Sequence, residues 1–349
     1  MGDQTREIPA DGLDRERLAA WFAAHVDGAS GPLSYERIAG GRSNLTFRVA
    51  DAAGHRWILR RPPLGTTLRS AHDMGREHRI LTGLAGTDVP APTPVALCED
   101  EDVIGAVFYV MEVVDGIVLR DETQVEASFD EAGRRRVGEA LVDTLATLHA
   151  VDPAAAGLGE LGRHDGYAER QLRRWQRQWQ DCKTRDLPVM DETHDILVAR
   201  VPPQDATAIV HGDYRLDNVI VAPSGDVAAV VDWELCTLGD PLADLGLLMV
   251  YWAEPADSVV PLTRSPTLAA GFPGRQEMAA RYAERSGRDI GALDFFVALG
   301  YWKLAAILEG VYARYAAGAY GETSDDYQSF ATIVTQLAEA GHAAALRLG

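Results

Sequence analysis

The pattern of hydrophobic and polar positions divides the chain into a β-rich first third and a mostly helical remainder. Short runs rich in β-branched and aromatic residues, bounded by turn residues, predict strands, and these lie at 34–38, 45–50, 57–61, 95–98 and 107–114. Apolar positions that recur every three or four residues predict amphipathic helices, and these lie at 14–26, 70–84, 131–149, 274–286, 290–317 and 323–346. Residues 184–192 have the composition of a loop. The expected fold class is α+β, with a small antiparallel sheet followed by a larger helical part.

Composition and charge then exclude several classes of protein. The chain has 349 residues, of which 47% are hydrophobic and 24% charged, as in globular proteins large enough for two packed lobes. A formal net charge of −19 argues against nucleic acids and anionic membranes as partners. Three scattered cysteines predict a reduced, cytoplasmic protein. The polar residues 1–10 do not resemble a signal peptide, and apolar runs such as 245–252 are too short to span a bilayer.

One stretch concentrates polar residues between apolar runs. A short run ending at Val210 leads into a His-Gly-Asp turn, and Asp213 and Asn218 lie five positions apart on the loop that follows. A second run, residues 227–231, leads to Asp232. This layout can bring the three side chains into one pocket, where an Asn and an Asp hold Mg²⁺ against nucleotide phosphates and the other Asp orients a hydroxyl. Each residue alone could simply cap a turn, but the three at this spacing favour a phosphoryl-transfer site.

These motifs resemble those of the aminoglycoside phosphotransferase family, small-molecule kinases with a protein-kinase-like fold. The resemblance rests on His211-Gly-Asp-Tyr-Arg-Leu-Asp-Asn218, Asp232-Trp-Glu-Leu235 and Gly239-Asp-Pro-Leu-Ala-Asp-Leu245, the first of which has the spacing of the protein-kinase catalytic loop. With Arg60-Arg-Pro-Pro63 and Tyr109-Val-Met-Glu112, the chain is similar in particular to the kinase-like domain fused to acyl-CoA dehydrogenases and to its free-standing bacterial relatives. The similarity extends over roughly residues 38–317.

The resemblance implies a two-lobed transferase. Residues 1–115 would form a nucleotide-binding lobe, and residues 116–349 a helical lobe with the catalytic loop, the metal loop and the acceptor site. The implied cofactors are ATP, with GTP left open, and Mg²⁺. The implied partner is a small molecule with a hydroxyl group, such as a hydroxyacyl-CoA, and the chain would be a monomer or a homodimer.

The resemblance also implies roles for individual residues. Asp213 would accept or aim the proton of the acceptor hydroxyl, and Asn218 and Asp232 would hold Mg²⁺. Arg60 stands where the kinase fold has a phosphate-binding lysine, and Glu77 would orient it, although both could simply be exposed surface residues.

Further contacts to the nucleotide are implied for two segments. In the turn 40–44, Gly41, Ser43 and Asn44 would contact the phosphates. The backbone of Glu112 and Val114 would contact the adenine base of the nucleotide. The simpler interpretation of this segment is a buried strand with no role in binding.

The same comparison suggests supporting residues. His211 is expected to brace the catalytic loop by hydrogen bonds, and Asp240 and Asp244 to cap the following helix and brace that loop. Glu234 could be a second metal or water ligand or a structural acceptor.

Two alternatives stay open. The acceptor could be an aminoglycoside or a choline- or homoserine-like amino alcohol, which an acidic cleft would favour, whereas a basic cleft around residues 170–177 would favour a CoA ester or another anion. The arginine- and tryptophan-rich stretch 167–179 can bind phosphate or carboxylate, or be a solvated helix face above packed tryptophans. The chain could also be a nucleotide-binding pseudokinase, which the incomplete glycine turn and Arg60 favour, and which the presence of Asp213 opposes.

Overall fold

The structure is a computed structural model that describes residues 11–38, 44–64, 72–261, 264–317 and 328–348. The chain divides into two compact units: the first is Met1–Asp115 with Ala228–Glu234, and the second is Gly116–Val227 with Leu235–Gly349. The segment Ala228–Glu234 therefore belongs to the first unit, although the residues on both sides of it in sequence belong to the second. The predicted division into two contiguous lobes did not include this segment. As a result, Asp232 belongs to the same unit as the strand that carries Arg60.

The first unit contains a five-stranded antiparallel sheet, as predicted. Its strands are β1 (Ser34–Arg37), β2 (Leu45–Ala50), β3 (Arg56–Arg61), β4 (Pro94–Cys98) and β5 (Phe108–Glu112), in the order β1-β2-β3-β5-β4. Two helices accompany the sheet: α1 (Arg15–His25) and α2 (Met74–Leu84). Each begins with an aspartate, Asp14 or Asp73, whose carboxylate accepts a backbone hydrogen bond of the first turn. Phe22, Phe47 and Leu59 belong to the buried core of this unit.

The second unit is mainly helical, as predicted. Its helices are α3 (Glu122–Ser128), α4 (Glu131–Ala150), α5 (Tyr167–Cys182), α6 (Pro188–Ala199), α7 (Leu242–Tyr251), α8 (Arg275–Ser286), α9 (Leu293–Ala316) and α10 (Gln328–Leu346). Its short strands are β6 (Ala208–Val210), β7 (Val219–Val221) and β9 (Thr237–Gly239), of which β6 and β9 pair antiparallel. The strand β8 (Val227–Val230) continues from the second unit into the first. These short strands and their connections carry the predicted catalytic and metal residues.

The central helix of the second unit is α9, which packs against α5, α7 and α10. By length and composition alone it could also cross a membrane, so the expectation that every apolar run is too short was wrong. Most of its apolar stretch is buried inside the unit, which is the environment of a core helix. The absence of a membrane partner stays a prediction.

The prediction of a loop at 184–192 was wrong, because α6 begins at Pro188. Proline is favoured in the first helical turn, where its missing N–H has no partner to lose, and Asp191 complements the helix dipole there. Met190 and Leu197 anchor α6 in the core. The predicted starts of the helices at 70–84 and 323–346 lie outside the described residues, and α2 and α10 occupy the described parts of those segments.

Candidate active site

The loop that carries Asp213 is held by a buried carboxylate. Asp244, on α7, accepts hydrogen bonds from the backbone N–H groups of His211 (2.6 Å) and Gly212 (2.8 Å). Its Oδ2 also lies 3.3 Å from Nε2 of His149. Burial alone would raise the pKa of Asp244, but the hydrogen bonds from His149 and the Gly212 amide hold it below its usual value. The prediction that Asp244 braces the catalytic loop is confirmed.

The backbone of the same loop is constrained at two further points. Gly212 has φ +86°, and a Cβ there would lie 2.8 Å from the carbonyl oxygen of Leu235, so only glycine fits without displacing backbone. The carbonyl oxygen of Gly212 accepts a 3.0 Å hydrogen bond from Nζ of the buried Lys303, on α9. Nδ1 of the fully buried His211 accepts a 3.3 Å hydrogen bond from the Asp213 amide, which confirms its expected bracing role.

The structure brings Asp213 and Asn218 together. The Asn218 side-chain nitrogen donates to both the carbonyl oxygen (2.8 Å) and Oδ2 (2.9 Å) of Asp213. Because that nitrogen is engaged, the amide oxygen is the atom of Asn218 that suits a metal ion. The same oxygen is approached by Arg215: its Nε lies 3.4 Å from Asp213 Oδ2, and its Nη1 lies 2.8 Å from Asp217.

Tyr251, on α7, completes the surroundings of Asp213. Its ring lies 4.8 Å below the Arg215 guanidinium, and its hydroxyl is close enough to Asp213 for the charge of that carboxylate to act on it. Burial and the nearby Asp213 carboxylate raise the pKa of Tyr251 well above its usual value, so it is a neutral donor at physiological pH. Neither Arg215 nor Tyr251 was predicted, although Arg215 lies within the quoted motif.

In the first unit, Arg60 is the centre of a buried polar network. Its Nε lies 2.9 Å from Glu77 Oε2, and its Nη2 pairs with Asp232. Glu77, on α2, is 2% exposed and also accepts hydrogen bonds from the Tyr109 hydroxyl and the Asn44 amide, both at 3.0 Å. Burial would lower the pKa of Arg60, but Glu77, Tyr109 and Asp232 outweigh it and raise that pKa. The interpretation of Arg60 and Glu77 as exposed surface residues is therefore wrong.

Antiparallel pairing explains how this network assembles. Arg60 on β3 lies opposite Tyr109 on β5, so both side chains reach the helix α2, which packs against β5. Burial raises the pKa of Glu77 and the Arg60 guanidinium opposes that rise. The paired charges offset each other inside the unit, where a lone charge would be costly.

Asp232 follows β8 in a strained conformation. Its φ is +67°, and it is the one non-glycine residue in the described part of the chain with a positive φ. Such a conformation costs on the order of 1–3 kcal/mol and is usually retained where function needs it. Two positions later, Glu234 Oε2 accepts a 3.1 Å hydrogen bond from Asn44. Glu234 therefore serves at least as a structural acceptor.

The residue types fit a magnesium ion that shares its ligands with a nucleotide. Mg²⁺ prefers oxygen ligands and is usually held by one or two side chains together with phosphates. Asp232 offers a carboxylate and Asn218 an amide oxygen, each within its own unit. Over the described residues, no group of three or more His, Cys, Asp and Glu side chains could hold a metal ion by itself.

The remaining predicted nucleotide contacts are only partly described. Gly41 and Ser43 lie outside the described residues. Glu112 is exposed at the end of β5, and its backbone N–H donates to the carbonyl oxygen of Thr93 (2.9 Å), while Val114 is half-buried. Contacts of Glu112 and Val114 to a base therefore stay a prediction.

Comparison with known proteins places this geometry in a family. Residues 34–296 match the sequence profile of the phosphotransferase enzyme family. The chain belongs to this family. Its five-stranded antiparallel sheet and larger helical part, together with its similarity to solved structures, confirm the expected kinase-like α+β fold.

Relatives of two kinds are similar to this phosphotransferase. It is 34% identical to human acyl-CoA dehydrogenase family member 11 over 349 residues, which are 97% of this chain and 44% of that protein. The chain thus spans less than half the length of the curated relatives that it matches first. A solved structure from Ralstonia eutropha, provisionally named an aminoglycoside phosphotransferase, is 36% identical with a TM-score of 0.82, covering 96% of this chain and 99% of that one. Choline kinase from Cryptosporidium parvum, 13% identical with a TM-score of 0.65 over 96% and 95% of the two chains, shows the fold alone.

Proposed function

We propose that this phosphotransferase moves the γ-phosphate of ATP, in the presence of Mg²⁺, to a hydroxyl group of a small metabolite. Membership in the family makes it a kinase-type transferase. The observation that carries the finer proposal is the geometry of one loop. Asp213 and Asn218 lie within hydrogen-bond distance (2.9 Å) on a segment whose backbone is fixed by Asp244.

In this proposal Asp213 receives or aims the hydroxyl of the acceptor. Arg215 lies 3.4 Å from the Asp213 carboxylate, and orientation of the acceptor hydroxyl is the contribution proposed for Asp213. This is sufficient because phosphoryl transfer depends chiefly on positioning and charge stabilisation. Asp213 is therefore the residue whose loss should affect turnover more than nucleotide binding.

In this proposal, the residues that would bind the nucleotide and its metal keep the roles that the sequence implied. Arg60, fixed by Glu77, would bind phosphate oxygens, for which a guanidinium offers two parallel hydrogen bonds. Asn218 and Asp232 would hold Mg²⁺, which when bound neutralises charge on the phosphates. ATP is the proposed nucleotide.

For the acceptor we propose a hydroxyacyl-CoA-type metabolite. A relative of 34% identity is named an acyl-CoA dehydrogenase family member, which supports an acyl-CoA compound as the class to test first. The exposed arginines on α5 also favour an anion over the aminoglycosides and amino alcohols, which are cations.

The test is a screen for acceptor-dependent ADP release. Hydroxyacyl-CoAs, aminoglycosides, choline and homoserine are each added to the protein with Mg²⁺ and ATP. We expect release with a hydroxyacyl-CoA, and its loss by at least about a hundredfold in Asp213→Asn, with binding of ATP retained. The control is Asp226→Asn, the same change at an exposed turn of the same unit. Undiminished turnover in Asp213→Asn would contradict the assignment, and nucleotide binding without turnover on any acceptor would favour the pseudokinase.

A further inference from the structure

A face of α5 presents a concentration of arginines to solvent. Four of them follow the spacing i, i+3, i+4, i+7, which places them on one side of the helix, and a fifth precedes the helix. Together they line a hollow of about 510 Å³, here called the arginine groove: Arg163, Arg170, Arg173, Arg174 and Arg177. On the opposite side of α5, Leu172, Trp175 and Trp179 are buried in the unit. The predicted solvated face above packed tryptophans is thus present, and it is concave and cationic.

Five arginines but only one carboxylate, that of Asp181, are among the described residues that line this groove. The chain has 52 acidic and 33 basic residues, and some exposed arginines of the unit have carboxylate partners, as Arg285 does with Asp143 at 2.7 Å. No described Asp or Glu lies within 4.0 Å of a guanidinium nitrogen of the groove, although Asp181 is part of its lining. Like charges at these spacings destabilise a helix.

The arginines act on one another at close range. Arg170 donates a 2.9 Å hydrogen bond to the backbone carbonyl oxygen of Arg163. Burial, together with the charges of Arg163 and Arg173, lowers the pKa of Arg170. A bound anion would relieve this repulsion, and guanidinium groups are suited to phosphate because they donate two parallel hydrogen bonds to its oxygens.

Side-chain contacts connect the groove with the loop that carries Asp213. The Arg174 guanidinium lies 5.0 Å from the centre of the Trp175 ring, and Nζ of Lys303 lies 5.6 Å from the same centre. Lys303 in turn donates to the carbonyl oxygen of Gly212, next to Asp213. Trp175 and Lys303, both buried, thus form the packing between the helix that carries the groove and the loop that carries Asp213, within the same unit.

We propose that the arginine groove binds the phosphate-bearing end of the acceptor, while the acceptor's hydroxyl group lies at Asp213. The substrate class would then be small hydroxy compounds that carry phosphate groups at their other end. The role as an acceptor site rests on the proposed kinase function. Binding of a phosphate anion in the groove does not depend on that function and can be tested alone.

The test is calorimetric titration with inorganic pyrophosphate, without metal or nucleotide. We compare the wild type with the double variant Arg173→Ala/Arg177→Ala, whose exposed side chains can be removed without opening the core. The matched control is Arg136→Ala, an exposed arginine on α4. Arg60→Gln tests whether the probe binds at the other cationic site instead.

We expect the dissociation constant of pyrophosphate to rise by at least about tenfold in the double variant and to stay unchanged in Arg136→Ala. A rise in Arg60→Gln with none in the double variant would place the probe at Arg60 and overturn the proposal. The lysine variant Arg173→Lys/Arg177→Lys should retain part of the affinity, because it keeps the charge but loses the paired donors. Absence of binding to the wild type, or equal binding to the double variant, would overturn the proposal. Failure of the kinase function would appear separately, as absence of any effect of Mg²⁺ and ATP on thermal stability.

Discussion

Replacing Asp244 by asparagine tests whether its carboxylate holds the loop that carries Asp213. The side chain of Asp244 is 1% exposed and accepts from the amides of His211 and Gly212. An asparagine has one acceptor oxygen, so one of these buried N–H groups would lose its partner and face an NH₂ group instead. An unsatisfied buried donor and a lost charge-assisted hydrogen bond together cost about 2–4 kcal/mol. We expect a loss of this size in the free energy of unfolding.

The assay is urea unfolding at pH 7.5 together with ADP release, and Asp240→Asn is the matched control. Asp240 precedes the same helix and accepts the amide hydrogen of Leu242 (2.9 Å), a bond that asparagine can also make. Burial raises the pKa of Asp240 to about 6. Its unfolded pKa is about 4, so the folded state binds the proton more tightly, and the wild type loses stability as the pH rises from about 4 to 6.

The asparagine at 240 avoids this loss, so the control variant should be at least as stable as the wild type at pH 7.5. The pKa of Asp244 is lowered instead, so its contribution is present at neutral pH and is lost as the pH falls below about 4. The destabilisation by Asp244→Asn should therefore diminish in acid. If Asp244→Asn were no less stable than Asp240→Asn at pH 7.5, the carboxylate would not be what fixes the loop.

Two further substitutions address the same loop. Gly212→Ala should lower the free energy of unfolding by more than about 2 kcal/mol and reduce ADP release, because its Cβ would lie 2.8 Å from the Leu235 carbonyl oxygen. Gly225→Ala is the control in urea unfolding, because Gly225 also has a positive φ but a Cβ there would lie 3.4 Å from its nearest neighbour. If both variants lost the same free energy of unfolding, backbone strain alone would explain the loss and the contact with Leu235 would not contribute. Lys303→Met should reduce ADP release by at least about tenfold with unchanged ATP binding, because the Gly212 carbonyl loses its donor; full ADP release would contradict this.

Much of the fold could be predicted because local patterns and the required packing agree. The short apolar run 57–59, which lies in β3, and the 3.6-residue periodicity of α4 were enough to predict these elements, and each element buries one face in the observed structure. The helix α6 was missed because its few apolar residues are separated by charged ones, while its start signal, Pro188, also occurs in loops. The helix α3 has one buried residue, Val125, which is too few to produce a periodic signal.

The candidate site could be predicted where its residues share one segment. Asp213 and Asn218 are five positions apart, so their spacing alone predicted the contact that the structure shows. The hydrogen bond between Asn44 and Glu234 joins residues 190 positions apart, and nothing in either segment points to the other. The hydrogen bond from the buried Tyr109 to Glu77 could not be predicted either, because a tyrosine within an apolar strand gives no indication of whether its hydroxyl meets a carboxylate. Long-range polar networks depend on tertiary packing, which short motifs do not encode.

The most direct test of the kinase function is a thermal-shift titration with Mg²⁺ and ATP on the wild type and Asp232→Ala. Ligand at 100 times its dissociation constant stabilises a protein by about 2.7 kcal/mol, so the Tm of the wild type should rise clearly. In Asp232→Ala the shift should disappear, whereas Asp115→Ala, an exposed aspartate of the same unit, should keep it. No shift in the wild type, or an equal shift in Asp232→Ala, would contradict the proposed nucleotide and metal site.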